Sequence, residues 1–243
     1  MRAVIFTNGE LRDRQGAREL LRPVDGSDPP DLVIAADGGT RHALSVGVTP
    51  DVVVGDVDSL SPQEQARVEA AGARIVRFSP RKDETDLELA LQYAVCDGAT
   101  EIVILAALGG RLDQTVANLL LLALPELRGI DVRVVEGAQT AFLIHGHDGR
   151  EGAAPTSIEG RPGDTVSLIP LGGDALGVTA EGLEWPLDDD VLRFGPARGV
   201  SNVLTAERAR VSLRQGLLLC VVTRKEANLQ ISKSASLQVS EEE

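Results

Sequence analysis

Two aspartates, Asp56 and Asp58, flank one valine in the segment Gly55-Asp56-Val57-Asp58-Ser59, directly after the apolar run Val52-Val53-Val54. At the spacing of an extended chain, side chains at i and i+2 project to the same side. Two carboxylates about 4 Å apart repel by roughly 4 kcal/mol at an effective dielectric of about 20. A fold that keeps such a pair places a cation between its members. Hard oxygen donors select a divalent ion such as Mg²⁺, commonly one that carries a phosphorylated substrate. An isolated Asp-x-Asp is more readily a solvated turn with two capping aspartates, so the surroundings decide.

Three further segments repeat the pattern. Asp37-Gly38-Gly39 follows the apolar run 32–36, Lys82-Asp83-Glu84-Thr85-Asp86-Leu87-Glu88 follows 74–78, and Gly109-Gly110-Arg111-Leu112-Asp113-Gln114 follows 102–108. Four successive strand-like runs therefore end in carboxylates, three of them with Gly, Lys or Arg beside the acid. Ligands of a parallel α/β sheet bind outside the carboxyl ends of its strands, so these loops would converge on one crevice.

The elements that must position them follow from periodicity. Residues 38–47, 61–72, 86–98 and 113–124 carry apolar side chains at i, i+3, i+4 spacing, and three of the four stop at or just before glycine. Thr85 and Glu88 have the spacing of a capping box, which opens a helix at the acidic cluster. Strand, acidic loop and helix in succession predict a mainly parallel, doubly wound α/β sheet over residues 1–136. After residue 137 the grain changes. Segments 140–145, 165–169, 177–180, 208–213 and 217–223 are strand-like and separated by Gly, Pro and Asp, with 145–164 reading as a polar, Gly-rich loop. This predicts an all-β sandwich or barrel over 137–225, followed by a solvated acidic tail at 226–243.

Composition narrows the partners. A net charge of −13 argues against nucleic acid, whose phosphates are held by Lys and Arg. An anionic nucleotide remains compatible where metal ions offset the local charge. Cys96 and Cys220 lie far apart in apolar segments and read as reduced core thiols, with no Cys or His at zinc-ligand spacing. The amino-terminal apolar run is too short for a signal peptide, and the longest run, 119–124, is far below the ~20 residues of a membrane span. The expectation is a cytoplasmic protein that meets no membrane. His42, His145 and His147 sit beside no Ser or Cys in a nucleophile motif.

The ordered set Ala36-Asp37-Gly38-Gly39, Gly55-Asp56-Val57-Asp58-Ser59, Lys82 to Glu88 and Gly109 to Gln114, with Asn118 beyond it, resembles the catalytic domain of thiamine pyrophosphokinases. In the second half, Val166-Ser167-Leu168-Ile169-Pro170, Gly182-Leu183-Glu184-Trp185-Pro186-Leu187 and Gly199-Val200-Ser201-Asn202 are similar to that family's thiamine-binding domain. The resemblance spans roughly residues 3 to 223. Gln114 stands where many bacterial members have His.

The resemblance implies that ATP and thiamine give thiamine diphosphate and AMP with Mg²⁺ (or Mn²⁺), in a homodimer whose active sites lie between the α/β domain of one subunit and the β domain of the other. It implies Asp56, Asp58 and Asp86 as metal ligands, with Asp83 and Asp113 close behind. Arg111 and Lys82 would meet phosphate oxygens, Arg111 through two parallel hydrogen bonds. Asp37, Gly38, Gly39, Asp83, Thr85, Gly109, Gly110 and Gln114 would complete the ATP side, the glycines letting backbone amides approach the triphosphate; βα turns use glycine in any case. Asp113 is a candidate to assist deprotonation of the thiamine hydroxyl. Trp185, the one tryptophan of the chain, would stack on the thiamine rings, its face attracting the thiazolium cation, where a lone Trp is otherwise a core anchor. Ser201 and Asn202 would hydrogen-bond the aminopyrimidine. The alternatives are a related Mg²⁺-dependent pyrophosphokinase or nucleotide hydrolase with another substrate, and a non-catalytic thiamine sensor.

Overall fold

Six apolar runs, β1 (Arg2–Phe6), β2 (Leu32–Ala36), β3 (Val52–Gly55), β4 (Arg74–Arg77), β5 (Glu101–Leu105) and β6 (Asp131–Glu136), pair in parallel in the order β6-β5-β1-β2-β3-β4. The computed structural model describes residues 1–22, 28–79, 83–147 and 154–225. Apart from Arg2 and Glu101 at their starts, the central strands are apolar because both of their faces are covered. Edge strand β4 keeps Arg74 and Arg77 exposed, which discourages further pairing.

Helices cover both faces. On one, α1 (Arg14–Leu21) and α2 (Gly39–Ser45) bury Ala17, Leu21, Ala43 and Val46 against Val4, Phe6, Val33 and Leu105. Beside them α3 (Pro62–Ala70) packs Val68 on Ala35 and Val53. On the other, α4 (Asp86–Cys96) sets Leu87, Leu91 and Ala94 against Ile5, Ile34, Val54 and Ile104, with α5 (Leu112–Leu121) packing Leu119 and Leu121 on the same core. The doubly wound expectation holds. The helices start where their caps sit. Thr85 accepts a hydrogen bond from the Glu88 amide at 3.2 Å, while the reciprocal capping box belongs to Ser61 and Glu64, ahead of Pro62. Helix α1 was not expected, although Ala17, Leu20 and Leu21 share its buried face.

Beyond β6 the same sheet continues antiparallel through β7 (Gln139–His145), β14 (Leu217–Thr223), β9 (Thr165–Pro170) and β12 (Asn202–Val203), ten strands in all. A hairpin pairing Glu136 with Gln139 makes the join. The boundary expected at 136/137 therefore falls inside one hydrogen-bonded sheet. A second sheet, β11 (Leu187–Leu192), β10 (Ala175–Glu181), β13 (Arg208–Ser212) and β8 (Thr156–Glu159), closes a sandwich over Ile144, Val166, Leu168, Leu218 and Cys220. Alternate residues of the shared strands, Ala141, Ile169, Leu219 and Val221, point the other way into the core under α4. That double burial explains why β14 is apolar at six consecutive positions.

Three expectations need correction. The span 145–164 is not one loop, because β8 lies within it and pairs with β13. Cys96 is exposed at the end of α4, so only Cys220 is a core thiol, pushed up to about 12 by burial. Strand β11 escaped notice because three successive aspartates look unlike a strand; at a sheet edge they face solvent, and Asp189 and Asp190 pair with Arg214 and Arg198. The acidic tail from 226 lies outside the described residues. No helix among the described residues is long and apolar enough to cross a membrane.

Candidate active site

Strand order reverses at β1. The chain moves from β1 outward through β2, β3 and β4, then returns to place β5 on the other side of β1. The loops after β1 and β5 part there, which is where a doubly wound sheet opens its ligand crevice. They are laced to each other at their bases. The Thr7 amide donates to the Leu105 carbonyl at 3.0 Å, that of Gly9 to Ala106 at 2.8 Å and that of Glu10 to Leu108 at 2.8 Å, and the Thr7 hydroxyl donates to the Ala106 carbonyl. Above them lies a cleft of about 500 Å³, walled by Asn8 and Glu10, Asp37, Asp56, Thr85 and Asp86, the 109–111 loop, Gln114 and Asn118.

Two of its lining acids, Asp37 and Asp56, gather with Asp58, which is exposed and stands outside the lining residues. Asp37, Asp56 and Asp58 each bring a carboxylate oxygen within 4.8 Å of the other two. Asp37 is 6% exposed and its Oδ1 has no hydrogen-bond partner. A buried carboxylate oxygen without a donor is costly, and costlier beside two like charges. The local backbone is bent to this end: Asp37 and Val57 adopt left-handed φ of 44° and 56°, unusual for residues with a Cβ. Gly55, at φ 146°, leaves the gap into which its neighbours fit. A Cβ there would stand 3.0 Å from Asp86 Oδ1 and 3.1 Å from Asp37 Cβ. The sequence suggested Asp56, Asp58 and Asp86 as the metal set. The geometry groups Asp37 with Asp56 and Asp58, and puts Asp86 alongside at Gly55. Three hard, anionic oxygen donors, one of them orphaned, fit a Mg²⁺ ion.

The loop carrying Asp58 is tied down from α2. Arg41 donates to the Ser59 carbonyl and pairs with Glu64 at 2.9 Å. The Arg41 guanidinium, then the Ser61 amide and hydroxyl, pull the Glu64 carboxyl down to about 2. The Asp58 amide donates to Asp56 Oδ1 at 3.2 Å.

On the opposite wall Arg111 donates through Nε to Asp113 Oδ1 at 3.1 Å and through a terminal nitrogen to Oδ2, with both side chains largely exposed. The Arg111 guanidinium, with the Gln114 amide, holds the Asp113 carboxyl below its usual range. The residue expected to assist deprotonation is thus paired with Arg111. The glycines also differ from expectation. Gly39 lacks a side chain because a Cβ would lie 2.1 Å from the Phe6 carbonyl oxygen, which makes it a packing requirement of α2 on β1. The Gly109 and Gly110 amides are already committed, to Thr115 Oγ1 at 3.1 Å and to Glu10 Oε1 at 3.0 Å. Asn118 is buried and donates to the Ala107 carbonyl at 2.7 Å, holding the same loop. Asp83 is exposed ahead of α4 and does not line the cleft, and Lys82 lies outside the described residues. Sequence reading passed over Asn8 and Glu10, although the run β1 followed by Thr-Asn-Gly-Glu obeys the same rule as the other four loops.

The residues expected to meet thiamine stand elsewhere. Trp185 is 57% exposed, so it is no core anchor, and neither it nor Ser201 nor Asn202 lines the carboxylate cleft. Ser201 has a left-handed φ of 64° and its amide donates to Ser167 Oγ at 3.0 Å. Asn202 is buried with its amide turned onto the backbone of Trp185.

Comparison with known proteins matches both halves. The family profile "Thiamin pyrophosphokinase, catalytic domain" covers residues 28–134, and "Thiamin pyrophosphokinase, vitamin B1 binding domain" covers residues 156–218. A thiamine pyrophosphokinase of Bacillus subtilis is 29% identical over 210 residues, 85% of this chain and 94% of its own length. Thiamine pyrophosphokinase 1 of Oryza sativa subsp. japonica is 30% identical over 201 residues, 80% of this chain and 73% of its own. The crystal structure of thiamine pyrophosphokinase from Bacillus subtilis superposes with a TM-score of 0.76 at 26% identity, covering 93% of this chain and all of that one. The thiamin pyrophosphokinase of Candida albicans shares the fold at 17% identity, with a TM-score of 0.75 over 91% of this chain and 88% of its own. A chain that follows these enzymes through both of its halves, in sequence and in fold, belongs to the thiamine pyrophosphokinase family.

Proposed function

We propose that the carboxylate cleft binds ATP with Mg²⁺ and that Trp185 presents thiamine to it from a partner subunit. The overall reaction is that of the family: the pyrophosphoryl group of ATP passes to the thiamine hydroxyl, giving thiamine diphosphate and AMP. The observation that carries the site assignment is the orphaned, buried oxygen of Asp37 within 4.8 Å of Asp56 and Asp58.

Asp37, Asp56 and Asp58 would hold the metal, with Asp86 beside them. When bound, Mg²⁺ supplies the positive charge that offsets charge building on the phosphate oxygens. Arg111, held in plane by Asp113, is oriented to form a bidentate contact with phosphate. Gln114 and Asn8 line the same walls. Phosphoryl transfer asks a protein for positioning and electrostatic stabilisation more than for covalent chemistry, and these residues supply both. With Asp113 occupied by Arg111, the proton of the thiamine hydroxyl has no assigned acceptor on this chain.

The dimer reading rests on two exposed apolar patches. Helix α5 carries Leu112, Val116 and Leu120 at i, i+4, i+8, all exposed beside the cleft, with Leu112 at 78%. The β layer exposes Trp185, Phe194 and Val200. Contiguous exposed apolar surface marks interaction sites, and two-fold pairing covers each patch reciprocally while bringing a partner's Trp185 toward the cleft. Within each subunit, we assign residues 1–136 to ATP and 137–225 to thiamine. Two free cysteines agree with a reducing, cytoplasmic setting.

The test is incubation of the pure protein with ATP and thiamine, with and without Mg²⁺, and chromatography of the products. AMP and thiamine diphosphate in equal amounts, dependent on the metal and reduced by orders of magnitude in Asp37→Asn and Asp58→Asn, support the assignment. Undiminished turnover in both variants at saturating metal removes it.

A further inference from the structure

We infer that Asn202 serves the reaction as a positioning residue that fixes the Trp185 platform through the Trp185 backbone, and accepts no hydrogen bond from the thiamine aminopyrimidine. The inference rests on the reading of Trp185 as the thiamine platform.

Residues 182–184 run antiparallel to 203–205. Leu183 and Leu204 form a bridge, the Glu184 amide donates to the Val203 carbonyl at 2.9 Å, and the Thr205 amide donates to the Gly182 carbonyl at 3.0 Å. Continued by two residues, this register sets Trp185 opposite Asn202. The backbone of Asn202 is engaged on its other side, where β12 pairs with β9 through Asn202 and Val166. Pro186 follows Trp185 and brings no amide hydrogen to extend the ladder.

The side chain of Asn202 takes the place of that missing ladder. Its Oδ1 accepts from the Trp185 amide at 3.1 Å, and its Nδ2 donates to the Trp185 carbonyl at 2.7 Å. A primary amide has one acceptor and one donor group, as a peptide does, so it can close both bonds at once. Oδ1 also accepts from the Val203 amide at 2.9 Å, which uses its second lone pair. Asn202 is 8% exposed. Oδ1 thus has no lone pair left for the amino group of a pyrimidine, and one of the two Nδ2 hydrogens is spent on the backbone that carries the indole. The ring of Trp185, 57% exposed, has little packing of its own to hold it, so its direction is set by the backbone from which it springs.

Asn202→Asp tests this with almost no change in shape. The carboxylate keeps the acceptor but loses the donor, and faces the Trp185 carbonyl with an oxygen. Because Trp185 is the only tryptophan in the chain, indole emission reports it alone. The expected result is a rise in the thiamine KM of about tenfold, the scale of one buried hydrogen bond, with kcat and the ATP KM changed by less than about twofold. Ligand-free Asn202→Asp should show lower indole anisotropy and greater acrylamide quenching than the parent. In a Trp185→Ala background the same change should add nothing. If it multiplies the effect of Trp185→Ala instead, Asn202 touches thiamine directly and the inference is overturned. It also fails if Trp185→Ala raises the thiamine KM while Asn202→Asp leaves both KM and anisotropy at parental values. A Trp185→Ala enzyme with an unchanged thiamine KM would remove the platform reading itself, a separate failure. Should Asn202→Asp not fold, Asn202→Ser, which loses the same donor without adding charge, is measured in the same way with the same outcomes.

Discussion

Asp37 and Asp86 approach Gly55 together, leaving no room for a side chain between them. Gly55→Ala would press a methyl to 3.0 Å from the Asp86 carboxylate at a backbone angle that L-residues rarely adopt. Destabilisation of about 1–3 kcal/mol is expected from the backbone alone. Displacement of the acids should also raise the Mg²⁺ concentration needed for half-maximal turnover. Urea melts and a metal titration of activity check both. A variant with parental stability and metal dependence would show that the gap is dispensable.

Asp37→Asn separates stability from activity. Asparagine tolerates the left-handed backbone at this position and removes one of three crowded charges. Without metal the variant should melt a few degrees above the parent, yet turn over at least about a hundredfold more slowly. Added Mg²⁺ should raise the melting temperature of the parent and have much less effect on the variant. Equal shifts in both would place the cation elsewhere.

Arg111→Lys keeps the charge and loses the planar fork that Asp113 orients. The ATP KM should rise, or kcat fall, with thiamine binding unchanged. Calorimetry with thiamine alone, beside ATP saturation curves, makes the distinction. Comparable damage to thiamine binding would mean that Arg111 faces the wrong substrate.

The Arg41–Glu64 contact should be visible at low pH. The folded pKa of Glu64 is depressed to about 2, so its stabilisation is complete above the unfolded carboxyl value of about 4.3 and is lost as pH falls through 2. Between about pH 4.5 and 2 the parent should lose more melting temperature than Glu64→Gln, which cannot titrate there. Parallel curves would show that the contact does not couple to stability.

Subunit complementation tests the shared site. Asp58→Asn and Trp185→Ala homodimers should each be weak. After mixing and reassembly, half of the dimers carry both lesions on opposite chains and retain one intact site, restoring up to about a quarter of parental activity. No recovery despite demonstrated exchange would place each site within one chain.

Much of this was legible in the sequence because the acidic residues follow strand-like runs, and a parallel sheet gathers strand ends at one edge. Asp37 joining Asp56 and Asp58 was not, since it depends on β2 lying beside β3, a pairing that local pattern does not encode. Asp113 and Asn202 were expected to act on substrate, and their hydrogen-bond partners within the chain were not legible. Their hydrogen bonds run to Arg111 and to the backbone of Trp185, and a motif specifies residue type without specifying the partner. Helix α1 and the β1 loop were legible too, since Ala17 and Leu21 lie at i and i+4 and Thr-Asn-Gly-Glu follows β1 as acidic loops follow the other strands. The change of grain at 137 was expected to divide two domains, and what the sequence did not show is that Gly137 and Ala138 turn a hairpin joining β6 to β7 in one sheet.

That hairpin has a mechanical consequence. Val134, Val135 and Glu136 are laddered to Ala141, Thr140 and Gln139, so a hinge between the two halves would have to tear main-chain hydrogen bonds in the middle of a ten-stranded sheet. The two halves are joined along a hydrogen-bonded ladder as well as through the chain. Separation of the two halves at this join would break those bonds, whereas motion of the loops at the strand ends, where the cleft opens, would break none of them.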